Sequence, residues 1–260
     1  MREHMKTRGK PPTLSVIPGL SSKQIEELGK AAADEARNSP RIAIIGQTGV
    51  GKTSTINAMF NAGLEISHVR ACTQDSQEFE VPVSELNGSK GIIKIYDMPG
   101  LGEDLDADER HKVTYKRVLA ICDVAVWVLD GVTRAYTPTQ LALRDVVGAA
   151  MGDLDRLVIG INKIDLIQPG VWNEKYNLPS PEQEPSITEK IDDVLEKIGK
   201  VCSIPRSRII PYSAMRWYRL ADLLGAMLDA CPKERAWVLY EIASLADFLA
   251  KVDPKVRQTL

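Results

Sequence analysis

The stretch Arg41 to Thr55, RIAIIGQTGVGKTST, constrains this chain more tightly than any other part of it. Gly46, Gly51, Lys52 and Thr53 fit the spacing G-x-x-x-x-G-K-[ST], with a further glycine at Gly49. The surroundings are those the spacing needs: an apolar run, Ile42 to Ile45, before it and a helix-compatible segment, Thr55 to Asn61, after it. A loop that wraps a phosphate must turn its backbone N–H groups inward, and glycine adopts the required angles and close approach at least cost. The helix that follows points its partly positive end and unpaired N–H groups at the same phosphate. Gly46, Gln47, Thr48, Gly49, Val50, Gly51, Lys52, Thr53 and Ser54 are therefore read as one phosphate-binding loop. In it Lys52 reaches the β and γ oxygens and the Thr53 hydroxyl faces Mg²⁺.

Further strand-length runs follow. Glu78 to Leu86 alternates, Gly91 to Asp97 is a second strand, and the Asn87-Gly88 pair between them predicts an antiparallel turn. Asp123 to Leu129 and Leu157 to Ile161 are apolar runs of strand length, and Arg208 to Pro211 is a short strand. Helical spacing and capping cover Ser21 to Arg37, His111 to Ala120, Thr137 to Met151, Ser186 to Val201, Trp217 to Ala230 and Arg235 to Val252. Glu65 to Gln77 reads as polar and irregular. Gln168 to Pro185, with four prolines together with Trp172 and Tyr176, reads as a long surface loop.

Strands alternating with helices predict a three-layer α/β/α fold, with a mostly parallel six-stranded sheet containing one antiparallel strand. The expected division is a leader and helix over 1–39, the sheet domain over 40–230 and a helical extension over 231–260. Open sheets of this kind bind ligands at the carboxyl ends of their strands. Asp97 to Gly100, Asn162 to Asp165 and Ser213-Ala214 all fall at such ends.

An apolar content of 44% over 260 residues is enough for a full core without staples. A net charge of -2 carries no general attraction for nucleic acid or anionic membrane, and the cluster Arg2, Lys6, Arg8 and Lys10 reads as a solvated tail. Cys72, Cys122, Cys202 and Cys231 are widely spaced, which predicts reduced thiols rather than disulfides or a zinc site. No apolar h-region opens the chain and no run approaches ~18 apolar residues, so the expected location is cytoplasmic.

In chain order, GQTGVGKT at Gly46 to Thr53, Thr73, DMPG at Asp97 to Gly100, NKID at Asn162 to Asp165 and SAM at Ser213 to Met215 resemble the five signatures of P-loop GTPases. The covered span runs from Arg41 to Ala230. The likeness narrows to the Era-like (TrmE-Era-septin) branch, and within it to the prophage-type YfjP/YeeP GTPases. The residues that narrow it are CTQD around Thr73, DMPGLGE, the strand carrying Trp127, and Pro179-Ser-Pro-Glu.

The resemblance implies a switch protein that binds GTP with Mg²⁺ and hydrolyses it slowly to GDP. Asp165 would accept hydrogen bonds from the N1–H and N2 amine of guanine, a pair of donors that adenine lacks. Asn162 would tie the base edge to the phosphate loop, Lys163 would lay its stem along the ring, and the Ala214 N–H, beside Ser213, would bond O6. Asp97 and, in the GTP state, Thr73 would join Thr53 around the metal, and the Gly100 N–H would meet the γ-phosphate. Lys52, Thr73 and Gly100 are thus the expected catalytic set.

Two positions depart from common patterns. Leu101 stands where many such GTPases carry a water-orienting glutamine, so hydrolysis is expected to be slow, with Arg134, Glu103 or Asp104, or a partner, as sources of missing charge. Gly49 stands where potassium-activated relatives have asparagine, which predicts no K⁺ stimulation. His68 and His111 lie near the switch segments and are read as exposed loop residues, and Trp172 and Asn173 as a rim of the nucleotide site. Two other functional classes share the signatures. One is a GTP-dependent, septin-like scaffold that forms a homodimer or a polymer across its nucleotide face. The other is a ribosome-assembly factor, for which nothing after Ala230 supplies a KH-type GXXG loop.

Overall fold

The structure, a computed structural model, describes residues 39–60, 67–73, 76–83, 91–101, 105–152, 154–233 and 235, and the backbone alone for 67–73, 82–83, 91 and 105–108. All belong to the compact unit Ser39–Leu260. The expected helix over 21–37, that over 235–252 beyond its first residue, the basic cluster at 2–10, the Asn87-Gly88 turn, Glu103, Asp104 and the side chains of His68, Cys72 and Thr73 lie outside the described residues.

Nine strands are described: β1 (Arg41–Gly46), β2 (Ser67–Thr73), β3 (Ser76–Val83), β4 (Gly91–Asp97), β5 (Val124–Asp130), β6 (Leu157–Asn162), β7 (Trp172–Asn173), β8 (Leu178–Pro179) and β9 (Ile209–Pro211). Seven form one sheet in the order β2-β3-β4-β1-β5-β6-β9, and β7 pairs with β8 alone. β1 runs parallel to both β4 and β5, and β6 and β9 continue the parallel set. β3 is antiparallel to β4 and to β2, so it alone runs against the rest. The mostly parallel sheet with a single reversed strand is thus the observed architecture. The six expected strands are present, and β2 is an addition at the sheet edge, within a stretch expected to be irregular. An edge strand pairs on one side only and needs no apolar alternation to hold it, so SHVRACT carries no period-two signal.

The helices are α1 (Lys52–Phe60), α2 (Leu105–Leu119), α3 (Thr137–Ala142), α4 (Gly148–Met151), α5 (Glu184–Gly199) and α6 (Leu220–Ala230), with a π-helical turn at Leu143–Val147 joining α3 to α4. α5 starts before Pro185, which occupies the first helical turn, where a missing N–H costs nothing. α6 begins later than its apolar spacing implied, because Trp217 (φ 53) and Arg219 (φ 55) take left-handed backbone angles. The expected loop after NKID is in fact partly ordered as the β7/β8 hairpin.

Period-two alternation in the central strands builds the two faces. Ile42, Ile44, Val124, Val126 and Val128 pack with Ile56, Met59 and Phe60 of α1 and Leu223, Leu224 and Met227 of α6. Ala43, Ile45, Ala125, Trp127 and Leu129 pack on the other face with Tyr115 and Leu119 of α2, Val146 and Val147 of the π turn, and Val194 and Ile198 of α5. Each fully buried aliphatic side chain contributes about 1.5–3 kcal/mol, so the sheet is the rigid member on which the loops are mounted. Because the neighbours of β1 lie on opposite sides of it, the loop leaving β1 opens at the topological switch point, where a crevice forms. Among the described residues no helix is long and apolar enough to cross a membrane.

Candidate functional site

The phosphate loop connects β1 to α1 as its spacing predicts. Gly51 has φ 94, and a Cβ there would lie 2.4 Å from Asn162 Nδ2, so both backbone angle and space exclude a side chain. Lys52 Nζ donates to the carbonyls of Gly46 (3.3 Å) and Gln47 (3.0 Å), which folds its charge back over the loop. The Thr53 hydroxyl donates to Asp97 Oδ2 at 2.6 Å, joining the start of α1 to the end of β4. Burial holds the Asp97 carboxyl above its usual range, opposed by the Thr53 hydrogen bond and the Lys52 charge. Two residues further along α1, Thr55 Oγ1 donates to Gly51 O (2.8 Å) and lies 2.7 Å from the hydroxyl of Tyr212, whose fully buried phenol is pushed far up in pKa by desolvation.

The NKID turn at the end of β6 is tied to this loop by side chains. Asn162, 2% exposed, donates through Nδ2 to Val50 O (3.0 Å) and accepts through Oδ1 from the Ala214 N–H (3.0 Å). One amide therefore clamps three segments distant in sequence. The resemblance assigned the Ala214 N–H to guanine O6; here it is committed to Asn162. Lys163, at φ 62, sends Nζ to Gly49 O and to Asp130 Oδ2, both at 2.7 Å. Asp165 is 9% exposed, and its Oδ1 is buried without a hydrogen-bond partner among the described residues. Its Oδ2 lies 3.9 Å from Nε of Arg216. Ser213 closes the other side: its N–H and C=O pair with Tyr218, and its Oγ accepts from the Arg216 N–H.

The DMPG segment packs on β1 and the loop through its backbone. Met98 N donates to Ile44 O (3.1 Å), Leu101 N to Gly46 O (3.3 Å) and Thr48 N to Leu101 O (3.3 Å). A Cβ on Gly100 would sit 2.0 Å from Thr48 Oγ1 and 2.7 Å from Thr48 Cα, so only glycine fits between the two segments. Leu101 is 5% exposed, an apolar side chain turned into the core. Thr73 ends β2, its backbone opposite Ser76 at the start of β3. Val50 is buried, while Thr48, Gly49, Thr53 and Ser54 are exposed.

Several residues at the site carried no sequence signal or a misleading one. His111 is 8% exposed rather than a loop residue in solvent: it lies inside α2, with Nδ1 3.1 Å from Gly100 O. Tyr115, one turn later and fully buried, donates to Pro99 O at 2.8 Å. Gln183, fully buried, sends Nε2 to the carbonyls of Ile164, Asp165 and Ile167 and so fixes the NKID turn from the rear. Asp130, which holds Lys163, was legible as a carboxylate at the end of an apolar strand. Trp172 is half-buried. It donates to Asn177 Oδ1, meets Tyr218 edge-on at 5.2 Å and has the Arg216 guanidinium 6.0 Å over its ring. Asn173 and Arg134 are exposed.

Comparison with known proteins agrees with this geometry. Residues 41–163 match the family model described as 50S ribosome-binding GTPase. Two curated relatives from Escherichia coli (strain K12), both described as uncharacterized, are YfjP, 29% identical over 169 residues, and YkfA, 27% identical over 169 residues. Each match covers 64% of this chain and 55% of the relative, so the chain spans about half the length of the curated relatives it matches. The tRNA modification GTPase MnmE of Thermoanaerobacter sp. (strain X514) is 31% identical over 150 residues, 55% of this chain and 30% of that protein. Among solved structures, an Aquifex aeolicus Era variant bound to GDP·AlF₄⁻ superposes with a TM-score of 0.52 at 21% identity, covering 74% of this chain and 57% of Era. Era in complex with MgGDPNP and a fragment of 16S ribosomal RNA gives a TM-score of 0.52 at 20% identity, covering 75% of this chain and 57% of Era. Residues 41–163 therefore match a GTPase family model, and the sheet with its helices has the fold of Era.

Proposed function

We propose that this chain binds GTP with Mg²⁺ where the phosphate loop, the NKID turn and the DMPG segment meet, and hydrolyses it to GDP as a slow conformational switch in the cytoplasm. The observation that carries the reading is Asp165. A buried carboxylate oxygen left without a partner costs on the order of 1–3 kcal/mol or more, so a ligand that brings two adjacent donors to this turn is strongly favoured. The guanine edge offers them as N1–H and the N2 amine, and adenine does not. Asn162 and Lys163, already bonded to the phosphate loop, hold the turn at a fixed distance from the phosphates.

Lys52 and the loop amides then neutralise and orient the β- and γ-phosphates, and the Gly100 N–H meets the γ-phosphate. The donor set at the start of α1 fits a hard divalent cation: a hydroxyl from Thr53 in contact with a carboxylate from Asp97 whose burial disfavours an uncompensated charge. Thr53 and Asp97 would hold Mg²⁺, with Thr73 joining them in the GTP state, and the ion's chemistry there is neutralisation of charge on the phosphate oxygens. Leu101, buried and apolar, cannot orient water. The intrinsic rate is therefore expected at or below the order of 10⁻³ s⁻¹, the range of GTPases that await a partner's charge.

The test is nucleotide affinity and phosphate release by the wild type and by Lys52→Ala. Losing two or more charge-assisted hydrogen bonds to phosphate should lower affinity for GDP and GTP by about a hundredfold or more. Undiminished affinity in the variant would remove the phosphate-loop assignment.

A further inference from the structure

The described residues leave the water-orienting position filled by a buried leucine, yet the peptides on both sides of Gly100 are held by side chains from one helix face. His111 and Tyr115 lie four residues apart on α2, which puts them on the same side of the helix. The Tyr115 hydroxyl donates to Pro99 O at 2.8 Å and is 3.5 Å from the Gly46 N–H, which can donate to it. Pro99 C=O and Gly100 N–H belong to one peptide, and that peptide is trans. In a planar trans peptide the C=O and N–H point in opposite directions. Fixing Pro99 O on α2 therefore turns the Gly100 N–H away from α2, and it is the phosphate loop, through Thr48, that presses on Gly100.

The next peptide is held in the same way. Gly100 O lies 3.1 Å from His111 Nδ1, and since a carbonyl only accepts, that nitrogen carries the proton. The other end of this peptide, Leu101 N–H, donates to Gly46 O. Both side chains are buried, with Tyr115 at 0% and His111 at 8% exposure, which limits the access of water to either hydrogen bond.

We propose that Tyr115 and His111 are positioning residues that aim the Gly100 amide at the terminal phosphate and so set the preference for nucleoside triphosphate over diphosphate. The proposal rests on the nucleotide-binding reading above. It adds that discrimination between the two ligands is built into α2 rather than into a switch side chain. Neither residue touches nucleotide; both act through the Gly100 backbone.

The experiment measures affinity for GDP and for a non-hydrolysable GTP analogue, together with Tm, in the wild type, Tyr115→Phe, His111→Ala and His111→Asn. Tyr115→Phe removes only the hydroxyl and is expected to weaken the analogue about tenfold while leaving GDP within about threefold, the size of one buried hydrogen bond. His111→Ala should shift the ratio the same way. His111→Asn, whose side-chain N–H₂ can take the place of Nδ1–H, should restore it. Should Tyr115→Phe fail to fold, the two His111 variants decide the matter by themselves. Equal weakening of both ligands, or no change in their ratio, would overturn the positioning role. A wild type that binds neither nucleotide would remove the functional reading and this inference with it. A wild type that binds both, with variants of unchanged ratio, would remove the inference alone.

Discussion

The two ends of the proposed nucleotide site are built differently. At the base end, side chains lock to backbone across long sequence separations: Asn162 to Val50 and Ala214, Lys163 to Gly49, Gln183 to three carbonyls of the NKID turn. At the γ-phosphate end the DMPG segment meets the loop through backbone hydrogen bonds at 3.1–3.3 Å and is steadied by two side chains from α2. On the proposed reading, a rigid base end would bind every guanine nucleotide alike, because nothing there would change with the number of phosphates. A backbone-mounted γ end can move by small peptide rotations, and that is where a third phosphate can be sensed.

Substitutions at the base end should therefore act on affinity without changing the ratio between ligands. The largest effect expected from the clamp is for Asn162→Ala. It leaves Val50 O and Ala214 N–H without their partner, at about 1–3 kcal/mol each, and should weaken GDP and a GTP analogue equally, by about tenfold to a hundredfold. Titration of both ligands checks it, and a loss confined to the analogue would break the contrast between the two ends. The smallest effect concerns Gly49, which has φ 78 and no side chain to offer a monovalent cation. Hydrolysis rates in K⁺ and in Na⁺ at matched ionic strength should coincide, and a several-fold rise in K⁺ would show that the γ end recruits an ion by another route.

Much of this division is visible in the residues themselves. Phosphate cradling demands glycines and a lysine at fixed spacing, and guanine recognition demands a carboxylate at a strand end. The glycine-lysine loop, Asp97 and NKID accordingly stand out in the residues alone as a proposed site, and the parallel sheet follows from the apolar runs at 42–45, 123–129 and 157–161. What stayed hidden depends on tertiary contacts with no local period. β2 is an edge strand whose pairing is backbone to backbone. Gln183 sits among prolines, where nothing distinguishes it from a solvated glutamine. His111 and Tyr115 follow a spacing that serves equally for core packing, and only the approach of Pro99 and Gly100 gives their polar atoms a task.

The most direct test of the central claim, that Asp165 at the end of β6 reads the base, is to measure GDP and XDP dissociation constants for the wild type and Asp165→Asn. Asparagine offers one donor and one acceptor, matching xanthine's carbonyl and N1–H. The variant is expected to lose GDP and gain XDP, moving the selectivity on the order of a hundredfold or more. Unchanged preference for GDP in Asp165→Asn would contradict the account.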